Sequence, residues 1–221
     1  MVELQASPTE LSTAATDLLL GAGCALAAWR IAGGRNSPRR TTWCAVFALL
    51  AGASFLGGVV HGVRLPEGAA NLLWHPLYLA LGIAAALVLV AALHDALGEA
   101  RARRWRAPLL ATGVVAYFVT QAFDGAFAVF ILYEALVTIA ALALYTWLAV
   151  AGTLPGALLL VCGLLLNLAA AGIQGSDLGL ELVFRFDHNG LFHLALMPAF
   201  ALLYLGASRG LGVAAPRRPE A

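Results

Sequence analysis

Seven apolar runs, each close to the length a bilayer requires, divide this chain: residues 11–32, 42–63, 69–93, 107–122, 126–151, 155–173 and 188–207. A membrane's hydrocarbon core is about 30 Å thick and is crossed by about 20 predominantly apolar residues of helix. No water is present there to satisfy an open backbone, so such a segment closes its own hydrogen bonds as an α-helix. The fold expected is all-α: a polytopic membrane protein whose seven-transmembrane helix bundle forms one domain over residues 1–221. Only 11% of the residues are charged, against about 25% in ordinary soluble domains. The tail, 213–221, carries prolines and arginines and is expected to be disordered.

The few charges set an orientation. Arg30, Arg35, Arg39 and Arg40 surround the first connection, and Arg101, Arg103, Arg104 and Arg106 fill the third. Arg209, Arg217 and Arg218 follow the last run, while the second and fourth connections hold a single arginine, Arg64. Cytoplasmic loops carry the excess of basic residues, which predicts the N-terminus outside and the C-terminus inside. All 13 basic residues are arginine. With abundant alanine, glycine and leucine, that suits a GC-rich genome and so the inner (cytoplasmic) membrane of a bacterium. A net charge of +1 gives no electrostatic case for nucleic acid. Cys24, Cys44 and Cys162 form no CxxC and read as small core residues.

Orientation assigns each polar residue a depth at about 1.5 Å per residue. Ser54 and His61 share a face late in the second run, and Asn71 and His75 are i, i+4 early in the third. Tyr117 and Gln121 end the fourth, Asp124 sits in the following turn, and Glu134 lies two turns into the fifth. Asn167 and Gln174 share a face of the sixth, and the seventh opens with His188, Asn189 and His193. All fall in the outer half, whereas the inner half is nearly pure Leu, Ala, Val and Gly. The reading is a polar cavity, roofed on the outer side by the sixth loop and closed below by apolar packing. Trp29, Trp43, Trp74 and Trp105 read as interfacial anchors, and His94-Asp95 as a solvated helix end. In the sixth loop Leu178, Leu180, Leu182, Phe184 and Phe186 alternate with Glu181, Arg185 and Asp187. That period suggests an extended, half-buried segment, either a lid or a plain loop.

Ionisable groups inside a membrane are expensive and mark functional sites. Four histidines at one level, His61, His75, His188 and His193, point to a metal. Zinc takes imidazole readily and keeps an open position when catalytic. It would lower the pKa of its water to about 7, with Glu134, Asp124 or Asp187 as base or as hydrogen-bond partner of a ligating histidine. His188 and His193 are i, i+5, about 140° apart on a regular helix. His61 and His193 therefore rank first as ligands, followed by His188 and His75.

Gly57-x-x-x-His61 in the second run and Asn189-Gly190-Leu191-Phe192-His193 in the seventh resemble the signatures of the CREST membrane hydrolase superfamily. That group includes alkaline ceramidases and progestin/adipoQ receptors. The resemblance implies seven helices and a zinc held by one histidine late in the second helix and an HxxxH pair in the seventh. It also implies a serine one turn before the first histidine and an aspartate nearby. Here the serine position holds Gly57, with Ser54 close by, and the first histidine of the pair is Asn189, preceded by His188. Carry-over is direct for His61 and His193 only.

Three functions are compatible with this pattern. The first is a zinc-dependent intramembrane hydrolase of a lipid amide or ester, with Glu134, Asp124 and Ser54 as catalytic candidates and His61, His193, His188 and His75 as metal candidates. The second is a non-enzymatic receptor, transporter or lipid-binding protein that uses the same cavity for an amphiphilic small molecule. The third, a b-type haem protein with axial histidines, lacks partners for a second haem, since only His94 lies toward the inner face.

Overall fold

The computed structural model describes residues 3–181 and 183–212; Leu182 of the alternating loop and the tail 213–221 lie outside them. Apart from its connections, the described chain is helical except for one short hairpin and an isolated antiparallel bridge between Leu4 and Val63. Its elements are α1 (Pro8–Ala32), α2 (Pro38–Gly62), α3 (Glu67–Leu97), α4 (Glu99–Ala122), α5 (Phe127–Val150), α6 (Ala157–Gln174), β1 (Leu180–Glu181), β2 (Arg185–Phe186) and α7 (His188–Gly210). The starts of α1 and α2 are written locally. Ser7 and Ser37 are N-caps, each followed by a proline, and their hydroxyls accept from Glu10 N and Arg40 N.

Six helices, α1, α2, α3, α5, α6 and α7, are long and apolar enough to cross a membrane. This makes the chain a multi-pass membrane protein by length and composition. The fourth differs from the rest for a plain reason. Its first turns carry Glu99, Arg101, Arg103, Arg104 and Arg106, so only the part beyond Arg106 is apolar.

The helices form a closed ring: α1 packs on α2, α2 on α3, α3 on α5, α5 on α6, α6 on α7 and α7 back on α1. The fourth helix stands outside the ring, mainly against α3. Close approach depends on glycine. A Cβ on Gly58 would lie 2.9 Å from Leu18 Cδ2, so α1 and α2 meet at van der Waals distance along the Ser54–Gly58–Gly62 stripe. The largest core cluster fills the arginine-bearing end around Ile31, Trp43, Phe47, Tyr145 and Leu160.

That end corrects three expectations. Asp95 is not solvated: its side chain is 2% exposed and forms an ion pair with Arg39, and Tyr145 Oη donates to its Oδ2 at 3.2 Å. Trp43 is fully buried, so it is a core residue and not an interfacial anchor. Arg40, also buried, donates to Ile31 O at 2.6 Å and to Leu211 O at 3.3 Å. The arginine-bearing half therefore contains a buried polar cluster that residue depth alone did not reveal.

The sixth loop is a two-stranded antiparallel hairpin pairing Leu180 with Phe186 and Glu181 with Arg185. It is not half-buried in the expected alternation, because Leu178, Leu180 and Phe184 are all exposed. Its second strand is docked instead: Ser12 Oγ donates to Arg185 O at 2.6 Å, and Phe186 packs on Gly190.

Candidate functional site

The end of the bundle opposite the arginine cluster holds a cavity of about 380 Å³. Its polar wall draws on α1 (Asp17), α2 (Ser54, His61), α5 (Glu134), α6 (Gln174) and α7 (His188, Asn189, His193). Its floor is apolar, with Leu20, Leu50, Leu81, Leu196 and Phe200. A polar rim over an apolar floor is the arrangement expected from residue depth, whereas the hairpin expected as its roof contributes none of the lining residues.

Local chemistry positions α7. Asp187 is its N-cap, accepting from Gly190 N at 3.0 Å, and the same oxygen accepts from Thr13 Oγ1 at 3.2 Å. The cap thus ties the first turn of α7 to α1. His188 is the first helical residue and reaches the cavity from that turn, while His193 reaches it one and a half turns later.

Both leading histidines have their Nδ1 engaged by an oxygen of α1. His61 Nδ1 lies 2.7 Å from Glu10 Oε2. His193 Nδ1 lies 3.3 Å from Thr16 Oγ1. The Thr16 hydroxyl also has backbone carbonyls in reach, of Thr13 at 2.8 Å and Ser12 at 3.1 Å. A hydroxyl has one hydrogen to give, so when it goes to a carbonyl, His193 Nδ1 is the donor of the pair. In the neutral ring, the Nε2 lone pair then faces Asp17 Oδ1 at 3.4 Å. Two acceptors face one another there unless a proton or a cation stands between them.

Asp17 is the residue the sequence reading missed. It is buried, and its place is made by a glycine: a Cβ on Gly57 would lie 2.6 Å from Asp17 Oδ2. The carboxylate occupies the space a side chain at position 57 would need. The signal was available, since Asp17 is an acid midway along an apolar run. Across the cavity, Glu134 Oε1 accepts from Asn167 Nδ2 at 2.9 Å, and Gln174 Nε2 donates to Asn189 Oδ1 at 2.7 Å.

Two candidates are not brought in. His75 is exposed, its Nδ1 3.2 Å from the Tyr117 hydroxyl, and is no part of the cavity wall. Its neighbour Trp74 faces the cavity instead, half-buried and edge-on to His61. Adjacent residues on a helix point about 100° apart, so one of the two had to face away. Asp124 lies in the α4–α5 turn with φ of 56°, exposed and outside the cavity. It is a turn residue and not a base for this site.

The donor set suits a divalent cation in kind: two imidazoles with Nδ1 engaged by α1, and a carboxylate that faces Nε2 of one of them. The 3.4 Å between Asp17 Oδ1 and His193 Nε2 also matches the edge of a tetrahedron, about 3.3 Å for ligands about 2.0–2.1 Å from zinc. Among the described residues, no three His, Cys, Asp or Glu side chains are gathered closely enough to form a metal cluster as they stand.

Residues 12–211, from the first turns of α1 to the end of α7, match the model of a family described as a family of unknown function, DUF6962. No curated protein and no solved structure matches the chain.

Proposed function

Since the chain belongs to the DUF6962 family, a family of unknown function, its activity has to be argued from its own side chains, and we propose that it is a zinc-dependent intramembrane hydrolase of a lipid amide or ester. The observation that carries this reading is the convergence of Asp17, His61 and His193 from three helices on one cavity, each histidine with its Nδ1 already engaged. Metal-ligating histidines almost always have the second nitrogen held in this way, which fixes the tautomer and the ring.

In this reading His61 Nε2, His193 Nε2 and Asp17 would hold the metal, with His188 the remaining donor on the wall. A bound zinc supplies Lewis acidity and lowers the pKa of a coordinated water. Glu10 orients His61, and Thr16 orients His193. The Ser54 hydroxyl, on the His61 face of α2, is placed to donate to a substrate carbonyl oxygen. The apolar floor takes an acyl chain and keeps water from the reacting bond. The resemblance to the CREST superfamily belongs to the same proposal. Its serine position is Gly57 here, and the carboxylate of Asp17 fills the space that glycine leaves open.

The topology belongs to the proposal too. Seven spans, counting α4, with the N-terminus outside and the C-terminus inside, place the cavity in the outer half of a bacterial inner membrane. The test is elemental analysis of detergent-purified protein alongside a screen of lipid amides and esters. About one zinc per chain, lost in His61→Ala and His193→Ala and kept in His75→Ala, is the expected result. A metal-free wild type would instead favour a binding or receptor role for the same cavity, a reading supported by the ungathered donors.

A further inference from the structure

The wall of the cavity away from His193 is aromatic, and its pattern is specific. The third helix contributes Trp74 and Tyr78, spaced i, i+4; the fifth contributes Phe127 and Phe130, spaced i, i+3; and Glu134 follows one turn later on the same stripe. The rings meet one another: Trp74–Tyr78 centroids are 5.8 Å apart, Tyr78–Phe127 5.9 Å, Tyr78–Phe130 6.0 Å and Phe127–Phe130 5.6 Å. The Tyr78 hydroxyl donates to Gly125 O at 3.0 Å, which anchors the ring to the α4–α5 turn.

An aromatic cluster alone would be ordinary core. Two facts make this one different. It borders a cavity, and the cavity wall holds two carboxyl groups, Asp17 and Glu134, with no arginine among its lining residues; the chain has no lysine to supply one. Glu134 has a single protein partner, Asn167 on Oε1, and its second oxygen has none among the described residues. Aromatic faces attract a cation through the ring quadrupole, most strongly where water is excluded, and boxes of such rings bind quaternary ammonium groups. A carboxylate beside the box supplies the countercharge.

We infer that the α3–α5 wall is a binding subsite for the ammonium group of a cationic amphiphile, with the aromatic wall of Trp74, Tyr78, Phe127 and Phe130 on one side of the cation and Glu134 as its counter-ion. The apolar floor takes the chain of that amphiphile. The inference does not depend on hydrolysis or on zinc, which concern the Asp17–His193 side.

The test is tryptophan fluorescence and calorimetric titration of the whole purified chain with choline and with its neutral carbon isostere, dimethylbutanol. The expected result is a preference for choline of about thirtyfold, the size of a desolvated cation–π contact, and tighter binding of octyltrimethylammonium. Glu134→Gln, which keeps the Asn167 hydrogen bond, and Trp74→Leu, at a half-buried position, each reduce the preference severalfold. Equal affinity of the wild type for choline and the isostere, or binding of neither, overturns the inference without any variant having to fold. An unchanged preference in both variants also overturns it.

Discussion

Gly57→Ala tests the site through one methyl group. The new Cβ would lie 2.6 Å from Asp17 Oδ2, 0.8 Å inside the 3.4 Å at which ordinary contact begins, and 3.1 Å from Asp17 Cγ. The carboxylate is buried between α1 and α2, so it has to move by most of an ångström, and with it goes the 3.4 Å approach to His193. Overpacking of this kind costs about 1–3 kcal/mol. Replacing glycine in a helix returns about 1 kcal/mol of propensity, which obscures the result in a single variant. Gly52→Ala on the same helix removes that ambiguity, because its Cβ meets nothing within 4 Å. The propensity gain is common to both, so the difference between them isolates the clash. In thermal melts of detergent-purified protein, Gly57→Ala should fall below Gly52→Ala by about 2–4 °C per kcal/mol for a chain of this size. Bound zinc should drop in Gly57→Ala alone. Identical melting and identical zinc content in the two variants would refute the placement of Asp17 and the site built on it.

Asp95→Asn, which strands Arg39 in the core, should cost about 3–5 kcal/mol, whereas replacing Arg39 and Asp95 together with apolar residues should cost much less; thermal melts of the single and double variants decide it. Asp187→Ala removes the cap of α7 and its bond to Thr13, with an expected loss of about 0.5–2 kcal/mol in the same assay. Glu10→Gln leaves a neutral acceptor at His61 and should weaken zinc about 10- to 100-fold in chelator competition; an unchanged affinity would detach Glu10 from the site.

Depth along a spanning helix is legible from sequence, and direction around it is less so. His61, Glu134, His188 and His193 were placed by height alone, and all four line the cavity. His75 stands at the same height and faces away, while Trp74, assigned to the interface, faces in. Spacing within one helix says which residues share a face, but not which face meets the ring. Asp95 shows a second limit. At the end of α3 it looks solvated until α2 brings Arg39 across to it, a contact between residues 56 positions apart. Asp17 was overlooked for a different reason. It has no polar neighbour at i+3 or i+4, so helical spacing gives it no partner, although a lone acid in an apolar run needs a physical explanation. The α3–α5 aromatic stripe was readable as spacing, but its meaning required the cavity.

The Arg40 guanidinium donates to the carbonyls of Ile31, in the last turn of α1, and of Leu211, just beyond α7. The first helix of the ring and the residue after the last are thus fastened by one side chain. The seam between α1 and α7 is therefore closed at both ends: Asp17 meets His193 at the cavity, and Arg40 meets Leu211 at the arginine-bearing end. Parting α7 from α1 would leave Arg40 with the Ile31 carbonyl alone and Asp17 without His193, so the cavity and the buried arginine cluster stand or fall with the same helix contact.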